Sequence, residues 1–293
     1  MMPGRGLVAI ALILCAVAAS LVFTATAAMA ETVTVDGHRV WYRVDGDPAS
    51  ASAPILLLHG GLMNTDLSWS DLIPRLAQDR AVIGIDQQGH GRTADRPTPI
   101  TLASMRADTL AVMDALPIDR AHVVGFSLGG MLGLDMAVNA PDRVASLSII
   151  SADQNGDGFL PELVLMNRDP SHVPSPDLVP LLPSPKDFPD MRRGYQDQNP
   201  GGSGAMVPVM HKLGALLNSD WGFSDDQIAA IGVPVMVLIG DRDFIRPAHA
   251  VHMAETIPGA WLTVLPDSTH LGVLDRPELP DLVLDLIASA EGD

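Results

Sequence analysis

The sequence has few positively charged residues and almost no cysteine. It contains 18 lysine and arginine residues against 35 aspartate and glutamate residues, which gives a formal net charge of −17 over 293 residues. An acidic surface of this kind repels phosphate backbones and anionic lipid. The composition therefore argues against nucleic acid as a partner and favours a small-molecule substrate.

The single cysteine, Cys15, lies in an N-terminal segment that has the pattern of a secretory signal peptide. Arg5 precedes an apolar run over residues 7–23, and Ala28-Met29-Ala30 fits the small-x-small cleavage pattern. The run is about long enough to span a bilayer, so a retained membrane anchor is the alternative. We interpret residues 1–30 as a signal peptide that is cleaved after Ala30. The mature chain would then have a net charge of −18 (17 − 35), no thiol and no stable membrane partner, and it would be periplasmic or secreted.

Beyond this segment, strand and helix patterns alternate. Residues 32–35 and 39–44 alternate in hydrophobicity around Asp36-Gly37, which predicts a hairpin. Apolar runs typical of buried parallel strands follow at 54–59, 81–86, 121–126, 144–151, 233–239 and 261–265. Helical spacing occurs at 67–78, 102–116, 128–139, 247–257 and 280–290, with Asp66 and Thr101 as predicted N-caps. The pattern predicts an α/β fold with right-handed crossovers.

Residues 152–226 interrupt this alternation. They include a proline-rich stretch with Pro-Ser-Pro at 174–176 and at 183–185, a glycine-rich segment at 201–204 and one helical pattern at 206–217. Because the segment lies between two core strands, we interpret it as a lid inserted into a core of residues 31–151 and 227–293.

Ser127 is the predicted nucleophile. It lies at the centre of Gly125-Phe126-Ser127-Leu128-Gly129, between a strand pattern and a helix pattern. A strand that turns sharply into a helix strains its apex residue, and positions two residues away must then lack side chains that would clash. The helix N-terminus supplies free N–H groups, so the Leu128 amide is a predicted oxyanion donor. The alternative is an ordinary glycine-rich turn.

His270 is the predicted base. A serine nucleophile needs a base and a group that orients the base, in the chain order Ser, acid, His. His270 follows the strand pattern at 261–265, in a loop at the strand end where a parallel sheet places its site. The other downstream histidines lie in the lid (His172, His211) or on a helix (His249, His252).

Three aspartates compete to orient this base. Asp243 lies furthest into the loop after a buried strand and is the preferred acid. Asp241 is better placed to cap the turn or to pair with Arg242. Asp153, at the end of another strand, is the third candidate.

The loop His59-Gly60-Gly61-Leu62 follows the first buried strand. Its glycines let backbone N–H groups approach an oxyanion, so Gly61 is the predicted second donor, with Leu62 as a fallback. His59 begins the loop and is interpreted as a structural residue that ties loops together.

These features together resemble the α/β-hydrolase fold family, from Thr32 to the C-terminus. The chain looks most like small single-lid members such as carboxylesterases, lactonases, haloperoxidase-like enzymes and proline iminopeptidase-like enzymes. The markers are the segments 59–61, 86–92, 125–129 and 240–243, together with His270 ahead of 271–277. The resemblance implies a mostly parallel eight-stranded sheet flanked by helices, a mainly helical lid, and the triad Ser127, Asp243 and His270. It implies neither a cofactor nor a metal ion.

Two positions refine the resemblance. Gln88 replaces the arginine that often occupies its place in the Asp86 loop, which is usually structural. The serine at the elbow argues against haloalkane dehalogenase and epoxide hydrolase chemistry, because those enzymes use a carboxylate nucleophile.

The expected function is hydrolysis of a carboxylic ester or lactone of a small to medium, largely apolar substrate through an acyl-enzyme. A proline iminopeptidase-like peptidase and a carbon–carbon bond hydrolase would share the triad, and a non-catalytic binding protein on this scaffold is a remote alternative. The peptidase would need an acidic cluster, for which the lid offers Glu162, Asp169 and Asp177. The predicted pocket residues are Leu62, Trp69, Met166, Met206, Met210 and Trp221. The sequence predicts no oligomeric state.

Residues 153–158, Asp-Gln-Asn-Gly-Asp-Gly, match the first half of a calcium loop. Val164 stands where the loop would need its last ligand, and Val164 cannot bind a cation. We interpret the segment as a turn into the lid.

Overall fold

The computed structural model describes residues 29–169 and 171–292. Strands β1 (Met29–Val35) and β2 (His38–Asp45) form an antiparallel hairpin. Asp36 and Gly37 join them with φ of 48° and 80°, the left-handed backbone that a two-residue hairpin turn requires. Residues 1–28 of the predicted signal peptide lie outside the described residues. The predicted cleavage after Ala30 falls within β1.

The remaining strands are β3 (Ile55–Leu58), β4 (Val82–Asp86), β5 (Ala121–Phe126), β6 (Val144–Ile150), β7 (Val235–Arg242) and β8 (Trp261–Thr269). The eight strands form one sheet in the order β1-β2-β4-β3-β5-β6-β7-β8. From β4 to β8 every neighbouring pair is parallel, and β2 is antiparallel to both of its neighbours. The prediction of a mostly parallel eight-stranded α/β sheet is confirmed.

The helices are α1 (Thr65–Trp69), α2 (Ile73–Leu76), α3 (Leu102–Ala115), α4 (Leu128–Asn139), α5 (Pro161–Arg168), α6 (Phe188–Gln198), α7 (Met206–Leu217), α8 (Asp225–Ala229), α9 (Pro247–Thr256) and α10 (Leu279–Glu291). Among the residues that the structure describes, no helix combines the length and the apolar character that a membrane span requires.

The core lies on both faces of the sheet. Along β3, Leu56 and Leu58 pack into one apolar cluster with α3, α4 and α9, while Ile55 and Leu57 pack into another with α2 and α10. Strands buried on both faces explain why their sequences are continuous apolar runs. The carboxyl ends of β5, β6, β7 and β8 meet at one edge of this sheet, which is where the site lies.

The first predicted helix differs from the structure. Residues 67–78 form two short helices because Pro74 cannot donate a backbone hydrogen bond and its ring would clash with the preceding turn. The N-cap of α1 is Asn64, which accepts the Leu67 N–H at 2.8 Å, and not Asp66. Thr101 caps α3 as predicted, in a capping box with Ser104.

The inserted segment contains more helices than the single one that its residue pattern predicts, in line with the mainly helical lid that the resemblance implies. Helices α5, α6 and α7 lie within residues 152–226, and α8 crosses the predicted boundary at 226. Pro161 and Pro189 stand in the first turns of α5 and α6, where a missing N–H costs nothing. Both prolines therefore begin helices that the sequence pattern did not predict.

Candidate active site

Ser127 lies at a sharp turn between β5 and α4. Its φ of 51° and ψ of −118° are strained values for a residue with a side chain, and its N–H donates to the Ile150 carbonyl at 2.9 Å. Neither neighbouring glycine can be replaced without a clash: a Cβ at Gly125 would lie 2.2 Å from the Gly129 carbonyl oxygen, and one at Gly129 would lie 2.0 Å from that of Leu58. The close approach of β3, β5 and α4 thus explains the glycine–serine–glycine spacing.

Three side chains from separate parts of the chain meet at this turn. His270 Nε2 lies 3.0 Å from Ser127 Oγ, and His270 Nδ1 lies 2.8 Å from Asp243 Oδ1. The same Asp243 oxygen accepts the Ile245 N–H at 2.9 Å, which fixes the carboxyl group. Because a carboxylate can only accept, Nδ1 carries the hydrogen and Nε2 is left to accept the serine proton. Asp243 and His270 are both buried.

Two aromatic rings enclose the His270 imidazole. The Phe244 ring stacks on it with centroids 3.9 Å apart and an interplanar angle of 27°. Phe126 lies on another side, with centroids 5.0 Å apart. Packing therefore holds the imidazole in addition to its two hydrogen bonds.

The two competing aspartates lie in different surroundings. Asp241 is exposed, and its carboxylate accepts the Ser268 N–H at 3.2 Å. Asp153 is buried beside the site, and neither of its oxygens has a hydrogen-bond partner among the described residues. Burial raises the pKa of the Asp153 carboxyl well above its usual range, and the charge of Asp243 raises it further. Only Asp243 hydrogen-bonds His270 among the three.

The other downstream histidines lie away from Ser127. His172 and His252 each pair with a carboxylate elsewhere, and His211 is exposed on α7. His249 accepts a backbone N–H from Gln154, and burial lowers its pKa to about 4.

The two residues predicted to supply the oxyanion donors lie close together next to Ser127. Gly61 and Leu128 both line the cavity that contains the serine, and a Cβ at Gly61 would lie 3.9 Å from the Leu128 Cβ. Leu62, the fallback donor, has a left-handed backbone with a φ of 60° and lines the same cavity. The backbone at Gly61 and the backbone at Leu128 therefore border the same small part of the cavity, next to the turn at Ser127.

His59 supports the Gly61 loop from below. Its Nδ1 lies 2.8 Å from the Gly60 carbonyl oxygen, and its Nε2 accepts the Gln87 N–H at 3.0 Å. Complete burial lowers the pKa of His59 to about 4, so the ring is neutral near pH 7. The neutral ring joins the loops that follow β3 and β4, as its position in the sequence predicts.

Gln88 has a structural role in the loop after β4. Its side chain donates to the Thr98 carbonyl at 3.0 Å and accepts from the Arg96 guanidinium at 2.7 Å. Earlier in the loop, the Asp86 carboxylate accepts the N–H groups of Thr65 and Arg92, both at 2.8 Å. The departure at Gln88 therefore leaves the loop fully anchored.

A cavity of about 310 Å³ opens above Ser127. Its walls come from the sheet edge and from the inserted segment, and they are almost entirely apolar. Besides the residues already named, the lining side chains are Met63, Met131, Phe159, Leu163, Asn167, Leu182, Pro183, Phe188, Met191, Leu213, Leu216, Leu217 and Leu271. Such a cavity suits an apolar ligand of modest size.

Of the predicted pocket residues, only Leu62 lines this cavity. Trp69 is fully buried in the core, Met206 packs against the core clusters, and Trp221 lines a separate depression. Met210 is 43% exposed. The difference from the prediction follows from which face of each helix meets the cavity. On α7 this face carries residues 213, 216 and 217, so Met206 and Met210 lie outside it. On α5 the face carries residues 163 and 167, so Met166 lies outside it.

Sequence reasoning also missed the aromatic lining. Phe159, Phe188 and Phe244 belong to no motif. The one sequence feature that could have indicated an aromatic residue at the site was the position of Phe244, directly after the predicted acid Asp243.

A family model described as alpha/beta hydrolase fold matches residues 53–277. The chain belongs to the α/β-hydrolase fold family. This membership agrees with the strand order of the sheet and with the turn at Ser127.

Three relatives show what this α/β-hydrolase is similar to. A protein of Caulobacter sp. (strain K31), provisionally named carbamate hydrolase RutD, is 30% identical over 256 residues, covering 84% of this chain and 93% of that protein. The structure of Est816, described as an N-acyl homoserine lactone degrading enzyme, is 26% identical with a TM-score of 0.67, covering 87% of this chain and 99% of the other. The proline iminopeptidase of Mycobacterium smegmatis is 25% identical with a TM-score of 0.67, covering 89% and 100%.

Polar contacts fasten the inserted segment of this hydrolase to the core. Asn199, after α6, donates to the carbonyl oxygens of Gly89 and Gly91 at 3.1 and 3.0 Å. On α7, the Lys212 ammonium contacts both Asp95 oxygens at 2.7 and 2.8 Å. The α6–α7 part of the segment is thus held to the loop after β4.

The side-chain oxygens of the calcium-like fragment, residues 153–158, are not arranged around one cation site. Asn155 uses its side-chain oxygen to accept the Asp157 N–H at 3.0 Å, Asp157 is exposed, and Asp153 lines the cavity. Within residues 29–169 and 171–292, no cluster of three or more His, Cys, Asp or Glu side chains could hold a metal ion.

Proposed function

We propose that this α/β-hydrolase is a serine-dependent enzyme that cleaves a carboxylic ester or lactone through an acyl-enzyme. The observation that carries the proposal is the hydrogen-bonded chain from Asp243 through His270 to Ser127, with links of 2.8 and 3.0 Å. A nucleophile, a base and an orienting group within hydrogen-bond reach are the requirements of acyl transfer through serine.

Each residue of the site has a defined part in the proposed reaction. His270 Nε2 takes the Ser127 proton as the hydroxyl attacks the carbonyl carbon, and Asp243 stabilises the resulting imidazolium. The amides of Gly61 and Leu128 hold the oxyanion. His270 then gives the proton to the leaving oxygen. Finally it activates a water molecule that releases the acid and restores the serine.

The cavity supports an apolar substrate of small to medium size. Its volume of about 310 Å³ and its leucine, methionine and phenylalanine walls favour alkyl or aryl groups over charged ones. The similarity to a lactone-degrading enzyme and to a protein named as a carbamate hydrolase supports acyl transfer to water as the shared chemistry. The same groups would attack an open ester or a ring ester.

The peptidase alternative has less support in the cavity. Glu162 accepts hydrogen bonds from Ser175, Asp169 accepts from Ser171, and neither carboxylate lines the cavity. Asp177 is exposed outside it. Hydrolysis of proline arylamides at a rate that matches or exceeds ester hydrolysis would favour the peptidase. Turnover of vinylogous diketones alone would favour the carbon–carbon hydrolase.

Covalent labelling tests the proposal directly. We expect a fluorophosphonate probe to label the protein and short p-nitrophenyl esters to be turned over. Ser127→Ala should remove both activities, while Ser203→Ala, at an exposed serine of the short 3₁₀ helix Gly202–Ala205, should keep them. Ester turnover that survives in Ser127→Ala would contradict the assignment. Absence of labelling in the parent protein would favour a binding protein on this scaffold.

We also propose that the enzyme acts outside the cytoplasm after cleavage at Ala30. N-terminal sequencing of the protein from a periplasmic or culture fraction should begin at Glu31. Recovery of the full-length chain in the membrane fraction would instead identify a retained anchor.

A further inference from the structure

Asp153 is an unusual residue to find in this cavity. Its side chain is only 1% exposed, it lines the same cavity as Ser127, and both carboxyl oxygens lack a hydrogen-bond partner among the described residues. A buried polar group without a partner costs about 1–3 kcal/mol. The proposed mechanism does not use Asp153, so this cost has no explanation within the triad.

The backbone holds Asp153 in a fixed position. It follows β6, and the turn at residues 156–158 folds back against it: a Cβ at Gly158 would lie 2.3 Å from the Asp153 Cβ and 2.8 Å from its Oδ2. Beyond this turn, Phe159 pairs with Ile245 in a β-bridge. The Asp153 loop and the Asp243 loop are therefore fastened together beside the cavity.

The protonation state of Asp153 follows from these neighbours. Asp243 must be charged in order to stabilise the His270 imidazolium, and a second carboxylate close to it is disfavoured. Burial against the apolar wall disfavours the charged form as well. A neutral carboxyl group offers one O–H donor and a carbonyl acceptor.

We propose that Asp153 is a specificity-determining residue, whose neutral carboxyl group donates a hydrogen bond to a second carbonyl oxygen of the substrate, remote from the scissile bond. The inference rests on the proposed ester or lactone hydrolysis and names its substrate class: acyl compounds that carry an additional ketone, ester or amide carbonyl. The other polar side chains of the cavity are Ser127, His270 and Asn167. Ser127 and His270 are committed to the reacting bond. Asn167 is partly exposed, so Asp153 is the buried donor of this apolar wall. A buried donor selects a substrate acceptor, because a site that hydrogen-bonds one group rejects the analogue without it.

Two other roles for Asp153 predict different behaviour. As a second acid for His270 it would be redundant, because Asp243 already occupies Nδ1 at 2.8 Å. As a partner for a substrate amine, Asp153 would have to be charged. Asparagine retains an N–H donor but can never carry charge, so Asp153→Asn separates these roles from the proposed one.

The test compares p-nitrophenyl heptanoate with its mono-oxo derivatives, in which a ketone replaces one chain methylene. For the parent enzyme we expect kcat/KM for at least one oxo ester to exceed that for the heptanoate about tenfold, the value of one buried hydrogen bond. Asp153→Leu and Asp153→Ala should lose this preference, and Asp153→Asn should retain most of it. Asp157→Asn and Asp157→Leu, at an exposed aspartate of the same loop, are the matched controls.

Each result decides the inference. A parent enzyme without preference for any oxo ester would overturn it, and so would an equal loss in Asp153→Asn and Asp153→Leu. Fluorophosphonate labelling of every variant shows that its site is assembled. A parent enzyme that is neither labelled nor active on any ester would instead overturn the proposed function, and this inference with it.

Discussion

Acidification should destabilise the fold through His59, the neutral histidine beneath the Gly61 loop. Its two ring nitrogens contact the Gly60 carbonyl and the Gln87 N–H, and its side chain is completely buried. Protonation would place a hydrogen on Nε2, where the Gln87 N–H already points, and would add an unpaired buried charge. The folded protein therefore resists protonation at His59.

The magnitude follows from the two pKa values of His59. Burial lowers the pKa from 6.5 to about 4, so as the pH falls the unfolded chain binds the proton first. The stability contributed by the neutral ring is complete above about pH 6.5, falls progressively as the pH drops below that value, and is lost once the pH has fallen through the folded value of about 4. Between about pH 7 and about pH 5 the free energy of unfolding should fall by about 2 kcal/mol from His59 alone.

Guanidinium unfolding of the parent protein and of His59→Gln, at both pH values, isolates this contribution. Glutamine keeps an acceptor and a donor but does not titrate, so the variant should show a smaller pH dependence by about 2 kcal/mol. His249, whose pKa burial lowers to about 4, titrates in both proteins and cancels in the comparison. Burial first and the neighbouring His59 second lower the pKa of His90 to about 3, so removing His59 relieves only the smaller cause and the contribution of His90 largely cancels as well. An equal pH dependence in the two proteins would refute the reasoning.

Substitutions at three other positions have expected outcomes. Asp243→Asn should lower kcat about 10⁴-fold because the imidazole tautomer is no longer fixed, whereas Asp241→Asn should lower it less than about tenfold; steady-state ester kinetics check both. Gly129→Ala should reduce soluble yield and melting temperature, because its methyl group would lie 2.0 Å from a backbone carbonyl oxygen of β3, while Gly156→Ala, with no atom within 4 Å, should match the parent. Asn199→Ala should destabilise by about 1–3 kcal/mol and speed proteolysis within residues 152–226; unchanged proteolysis would contradict the anchoring role.

The sheet could be predicted from the sequence because each buried strand has an apolar run of its own. The runs at Ile55–Leu58 and Ala121–Phe126 are apolar at every position or nearly so, and a strand buried on both faces needs no other signal. The site could be proposed for the same reason: parallel strands end at one edge, so residues that follow different strands meet there. Ser127, Asp243 and His270 follow this rule, and their catalytic roles stay predictions.

The structure of the inserted segment was harder to predict from the sequence, because its helices are positioned by contacts with residues far away along the chain. Pro161 and Pro189 begin helices that the sequence pattern did not predict, because the first turn of a helix accepts proline. The methionines chosen for the pocket have the right chemistry, yet the phase of α5 and α7 turns Leu163 and Leu213 to the cavity instead. That phase depends on how each helix packs on the core, which no short motif encodes.

The two phenylalanines around the His270 ring have a consequence for the second half of the proposed reaction. Phe244 stacks on one face of the imidazole and Phe126 lies on another side, while Nε2 lies next to Ser127 at the cavity, so we expect water to reach Nε2 from the cavity side. In an acyl-enzyme, the acyl chain occupies that same space. Long chains would then shelter their own ester bond from water, and deacylation would slow as the chain lengthens. Such substrates should show a burst of product release followed by a slow steady state, whereas short ones should turn over without a burst.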